Sequence, residues 1–164
     1  MSLDELVHEL APRVLSYCHG LTRDRSLAED ATQDALVALV RRWRRGEPPR
    51  SPAAFVFAIA RRRALRLAIR RRLLAPFEGV TDRQGEDTGK RIEERGEVLR
   101  ALGALTRLAS RDRRALLLIA VAELDYREAA SVLGVSVAAL KMRVHRARAR
   151  LAAILDGGGD ERAV

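Results

Sequence analysis

Seven arginines occupy the twelve positions 61–72: Arg61, Arg62, Arg63, Arg66, Arg70, Arg71 and Arg72. No acid interrupts the chain between Glu47 and Glu78. A solvated helix face usually mixes its charge signs. Guanidinium groups alone suit phosphate, which the planar fork grips through paired hydrogen bonds. A second basic run, Lys141, Arg143, Arg146, Arg148 and Arg150, stands near the other end of the chain. Upstream of both, Asp30, Gln33, Asp34 and Val37 recur at i, i+3, i+4, i+7, which places them on one face of a helix. Such a stripe can complement the helix dipole or form a docking face for a partner. No glycine-rich phosphate loop, no nucleophile beside a base and no metal-ligand spacing is present, so no enzyme activity, metal or cofactor is expected. Cys18 is the lone cysteine and reads as a small core residue, and His8 has no partner at ligand spacing.

The charge layout points to a polyanion partner. The 164 residues carry a net charge of +9 with a pI of about 11.1. Residues 1–40 hold 3 basic and 7 acidic side chains, residues 41–75 hold 12 and 1, and residues 126–155 hold 6 and 1. Two basic blocks are thus separated by a mixed middle, with an acidic block in front. Nucleic acid is the default partner for such arginine-rich blocks. No apolar run reaches the roughly 18 residues of a spanning helix and no signal peptide is visible, so a cytoplasmic protein without a membrane contact is expected.

The elements that must position these residues are helices. Leu, Ala and Arg dominate while aromatics make up only 4%, so the chain reads as all-α. A first helix covers Leu3 to Leu21, with Pro12 kinking it or starting its second half. Ser26 with Glu29 reads as a capping box for a second helix running to about Arg45. Gly46 to Arg50 breaks that helix, and Ser51-Pro52 starts a third, as N-cap and first-turn proline. Residues 76–96 hold proline, glycines and mixed charges with no apolar period, which is long for a loop inside one domain. The chain therefore divides into a domain over 1–75, a flexible linker over 76–96, a domain over 97–156 and a disordered tail over 157–164. Helices over Glu97–Leu108 and Ser110–Glu123, with Val98, Leu102 and Leu105 among their core residues, begin the second domain.

Leu124 to Leu155 reads as a helix-turn-helix. Asp125 with Glu128 forms a capping box, Gly134 supplies a left-handed turn, and Ser136 caps the following helix. Ala130 is the small residue where the two helices must cross, and Leu140 the apolar residue on the second helix's inner face. In the last helix Val137, Leu140, Val144, Leu151, Ile154 and Leu155 make an inner stripe. Ala139, Met142, Arg143, Arg146 and Arg150 lie outward, with Lys141, His145 and Arg148 beside them.

Residues 4–39, DELVHELAPRVLSYCHGLTRDRSLAEDATQDALVAL, then FVFAIARRRA and YREAASVLGVSVAALKMRVHRARARL, together resemble a bacterial RNA polymerase sigma factor of the extracytoplasmic-function group. The resemblance spans nearly the whole chain, and Ala28-Glu29-Asp30 followed by Gln33-Asp34 is its most specific part. It implies that Asp30, Gln33, Asp34 and Val37 bind the β′ clamp helices of core RNA polymerase. It implies that Arg50, Ser51, Phe55, Arg61, Arg62, Arg63, Arg66 and Arg70 meet the −10 promoter element and help open it. It implies a second domain that touches the β flap and reads the −35 element. There Arg143 and Arg146 would lie at base edges, Ser136, Lys141 and Arg148 at phosphates, and Ala139 and Met142 alongside. An anti-sigma factor is a further implied partner. Arg62 and Arg66 stand where the family usually has Asn and Asp, Phe55 where it has Trp, and Ala109 where it has Pro. Two rivals follow: a stand-alone helix-turn-helix regulator, and a sigma-like polymerase-binding protein that does not melt DNA.

Overall fold

The computed structural model describes residues 1–74, 96, 100, 101 and 103–157. The expected linker lies almost wholly outside the described residues, as do Val98, Leu102 and the tail from 158 onward. No strand occurs among the described residues.

The first unit is three helices. Helix α1 (Leu3–Thr22) opens on Ser2, whose hydroxyl accepts from the Glu5 amide at 3.2 Å while Glu5 Oε2 accepts from the Ser2 amide at 2.6 Å. Pro12 is carried inside α1 without ending it. Helix α2 (Arg25–Arg44) starts two residues earlier than Ser26 would set it. Its cap is Asp24, whose Oδ1 accepts from the Leu27 amide at 2.9 Å. Glu29 pairs instead with Arg25 at 2.9 Å, so the expected Ser26–Glu29 box does not form. Helix α3 (Pro52–Leu74) starts as expected, with Ser51 Oγ accepting from the Ala54 amide at 3.1 Å.

Small residues let these helices approach closely. Ala28, Ala31 and Ala35 on α2 and Ala60 and Ala64 on α3 are fully buried. Leu10, Val14, Tyr17, Leu39, Val56 and Phe57 fill the space between them. Tyr17 and Phe57 meet edge-to-face, ring centroids 5.3 Å apart and planes at 77°. Cys18 is a core residue, and burial pushes its thiol up to about 11, against a lowering hydrogen bond with Thr32. At pH 7 its thiolate fraction is then about one part in ten thousand. A thiol reagent is expected to modify the native chain far more slowly than the denatured chain. Equal rates in a timed colorimetric assay would contradict this placement.

The second unit contains helical residues 103–106 and helices α4 (Ser110–Ala120), α5 (Tyr126–Leu133) and α6 (Val137–Gly157). Helix α4 ends three residues before the expected Glu123, because the amides of Val121 and Ala122 both turn back to the Leu117 carbonyl. Glu123 then adopts a left-handed φ of 54° that starts the approach to α5. The Asp125–Glu128 capping box forms as expected. Gly134 takes φ 65°, ψ 38°, and the Val135 amide reaches back to the Ala130 carbonyl at 3.1 Å. A Cβ at Gly134 would meet nothing within 4 Å, so glycine serves the backbone angle rather than space. Ser136 Oγ accepts from the Ala139 amide at 3.1 Å and caps α6. Leu140, Val144 and Ala147 are buried, while Leu155 is 48% exposed and leaves the expected inner stripe.

The two units also pack on each other. Their buried side chains form one continuous apolar cluster. A Cβ at Gly20 in α1 would lie 2.9 Å from Leu117 Cδ2 in α4, so the glycine admits that leucine. Arg13 in α1 donates to the Ala122 carbonyl through Nε at 3.1 Å and a terminal nitrogen at 2.6 Å. Ser51 Oγ donates to Glu128 Oε1 at 2.5 Å.

Candidate nucleic-acid and partner interfaces

Three exposed surfaces carry the residues singled out by sequence. On α2, Asp30, Gln33, Asp34 and Val37 are all exposed on one side, as their spacing requires. Gln33 and Val37 also line a feature that the periodicity did not reveal, an open groove of about 690 Å³ between α1 and α2. Val7, Ala11 and Leu15 line one wall, and Leu36, Val37 and Val40 the other. The four-residue spacing of Val7, Ala11 and Leu15 was the available signal for a second apolar stripe on α1. Arg41 and Arg44 stand at the rim. An apolar trough edged by charge is the form of a helix-binding groove. Asp34 also pairs with Arg63 at 2.5 Å, joining the acidic face of α2 to the basic face of α3. Both groups are about half exposed, so the pair contributes ~0–1 kcal/mol.

The second surface is α3 with the loop before it. Gly46 turns that loop at φ 74°, and Arg42 Nε donates to the Glu47 carbonyl at 2.9 Å. The Arg42 guanidinium lies 5.3 Å from the Phe55 ring centre. Phe55 is thus partly buried, held between the core and a cation. Arg50, Arg62, Arg63, Arg66 and Arg70 are exposed, and Ser51 is partly exposed. Arg61 is set apart from them: it is partly buried, and its Nε is buried without a hydrogen-bond partner, as is the Tyr17 hydroxyl. Burial pushes the Tyr17 phenol far above its ordinary range, with Arg61 pulling the other way. Arg71 pairs with Asp24 and anchors the end of α3 to the α1–α2 turn.

The third surface is α6. Ser136, Lys141, Met142, Arg146 and Arg148 are exposed, while Ala139 and Arg143 are partly buried. Arg146 donates to Asp112 of α4 at 3.1 Å, which fixes its direction across the helix. The Lys141 ammonium stands 5.8 Å from the Tyr126 ring centre. No group of metal-ligating side chains and no helix long and apolar enough to cross a membrane occurs among the described residues.

Comparison with known proteins gives these surfaces their class. Residues 6–73 match the Sigma-70 region 2 family and residues 99–151 match Sigma-70, region 4. The chain belongs to the sigma-70 family of RNA polymerase sigma factors, in its extracytoplasmic-function group. It is 30% identical over 144 residues to the RNA polymerase sigma factor CnrH of Cupriavidus metallidurans, covering 81% of this chain and 75% of that one. It is 28% identical over 169 residues to the ECF RNA polymerase sigma factor EcfG of Rhodopseudomonas palustris, covering 97% and 89%. Protein R00370 of Rhizobium meliloti is 34% identical over 141 residues, but the chain spans only 33% of its length. Among solved structures, CnrH in complex with the cytosolic domain of CnrY superposes with a TM-score of 0.71 at 26% identity, covering 94% of this chain and 88% of that one. The sigma factor RpoE of Bartonella quintana, solved with the anti-sigma factor NepR, shares the fold at a TM-score of 0.71 and 23% identity. The family acts in transcription initiation through core RNA polymerase and promoter DNA.

Proposed function

We propose that this chain brings core RNA polymerase to promoters through α2, opens the −10 element with α3 and the loop 46–51, and reads the −35 element with α6. The observation that carries this reading is the junction of α2 and α3. An exposed acidic face beside an apolar groove meets an exposed arginine face, bridged by Asp34 and Arg63. A promoter regulator acting alone has no use for the acidic half. Flipping a base out of the stack costs a few kcal/mol, and arginines on the phosphates with Phe55 near the loop can offset it. The structure of CnrH with CnrY supports an anti-sigma factor as a further partner.

Run-off transcription with core polymerase on a promoter pool, combined with permanganate footprinting, tests the reading. Transcription requiring both proteins and a bubble at the −10 element are expected. Polymerase binding with no bubble would replace it with a non-melting docking role.

The division of labour on α6 is separately testable. Arg143→Ala is expected to relax selectivity at one −35 position by about 1–3 kcal/mol. Lys141→Ala should weaken all sequences alike and lower the salt slope by about one. Binding to a set of −35 variants over a salt series reads both.

A further inference from the structure

Three buried side-chain atoms have no hydrogen-bond partner among the described residues: the Tyr17 hydroxyl, Arg61 Nε and Arg113 Nε. All three belong to one junction of α1, α3 and α4. Phe57 stands one turn before Arg61 on α3 and meets the fully buried Tyr17 ring edge-on. Gly20 stands one turn after Tyr17 on α1 and admits Leu117, one turn beyond Arg113 and Arg114 on α4. Burial keeps the Tyr17 phenol protonated, with Arg61 and Arg114 near enough to pull the other way. Burial, and then the guanidinium groups of Arg114, Arg23 and Arg72, lower the pKa of Arg113. An arginine nitrogen donates only, and the phenol, still carrying its proton, has no bond to either arginine. Buried polar groups are normally paired, so this cluster of donors is short of an acceptor. The acids next to these arginines in sequence are engaged elsewhere, Asp24 with Arg71 and Asp112 with Arg146. An acceptor with negative charge and several oxygens suits the junction.

We propose that Tyr17, Arg61 and Arg113, with Arg114 beside them, form a binding site for a small oxyanion of the phosphate class between α1, α3 and α4. The donors are buried, so the ligand is a compact free ion and not a nucleic-acid backbone. Two guanidinium groups and a phenol O–H match the several oxygens of a tetrahedral ion. Arg23 and Arg72 are exposed and add positive potential that draws an anion in. Arg61 then serves this site instead of −10 DNA, in keeping with its partial burial among exposed arginines. The bound ion also ties α4 of the second unit to α1 and α3 of the first.

Thermal melts of the full chain in inorganic phosphate, against sodium chloride of equal ionic strength, test the site. Once phosphate reaches about ten times its dissociation constant, the melting temperature should rise by roughly 3–6 °C. Calorimetric titration should count one ion per chain. Arg61→Met and Arg113→Met each remove a charged donor and should weaken phosphate binding by about tenfold or more. Tyr17→Phe keeps the ring and removes only the hydroxyl, so it reads the site even if an arginine variant folds poorly. It should lose part of the phosphate shift and none of the stability in chloride. Arg127→Gln, at an exposed position on α5, removes the same charge and should keep the full shift. Phosphate also stabilises folded chains by exclusion from their surface, and that effect is the same in every variant. A shift no larger than in chloride, one undiminished in all three site variants, or one lowered equally by Arg127→Gln overturns the site.

Discussion

Reversing both charges on α2, Asp30→Arg with Asp34→Arg, is expected to cut affinity for core RNA polymerase by tenfold or more. Both carboxylates are exposed, so the change alters a surface and leaves the core intact. Like-charge contact across an interface costs several kcal/mol, and tenfold is only about 1.4 kcal/mol. Asp34→Arg also sets a cation beside Arg63, which would turn its side chain away from the docking face. The lost exposed pair is worth ~0–1 kcal/mol, so the melting temperature should barely move. Pull-down of polymerase subunits with a parallel thermal melt separates the two effects. Full affinity in the double variant would remove the docking assignment, and a collapsed melt would expose an unrecognised structural role.

The largest loss of stability is expected from Phe57→Ala. Phe57 is fully buried and packs edge-to-face on Tyr17. Emptying such a site costs ~3–5 kcal/mol, a large share of the ~5–15 kcal/mol that holds a domain folded. The first unit should lose cooperative unfolding, and with it polymerase binding and −10 opening. Tyr17→Phe is the contrasting change. It removes a buried hydroxyl that has no hydrogen-bond partner while keeping the ring, so it should be neutral or stabilising. Urea denaturation followed by circular dichroism orders the three chains. A destabilised Tyr17→Phe would mean that the hydroxyl has a partner in solution, such as a buried water.

Local signals in the sequence were reliable where one backbone group met one side chain. The Asp125–Glu128 box, the left-handed Gly134 and the Ser136 cap lie within a few residues of their partners, so composition and spacing suffice to read them. The start of α2 shows the limit. Ser26 with Glu29 fits a capping box, but Asp24 reaches the Leu27 amide first and Arg25 takes Glu29. Two competent caps stood two residues apart, and spacing cannot rank them. Pro12 was expected to kink α1 or start its second half, and it lies inside one helix, Leu3–Thr22, rather than at the start of a separate one. The groove between α1 and α2 depends on how two helices cross, which no single stripe reveals. Least legible was the seam between the units: Arg13 and Ala122 are 109 positions apart. A long stretch without apolar periodicity correctly announced two units but was silent on their contact.

The spacing of that contact along the chain carries a consequence for synthesis. Glu128 follows Ser51 by 77 residues. Helix α3 ends at Leu74, 54 residues before Glu128, so at roughly 5–20 residues per second α1, α2 and α3 are all synthesised some 3–11 s before that carboxylate exists. For that interval the nascent first unit stands with its helix end uncovered. The order of translation thus completes the first unit's helices before its contact with Glu128 can form.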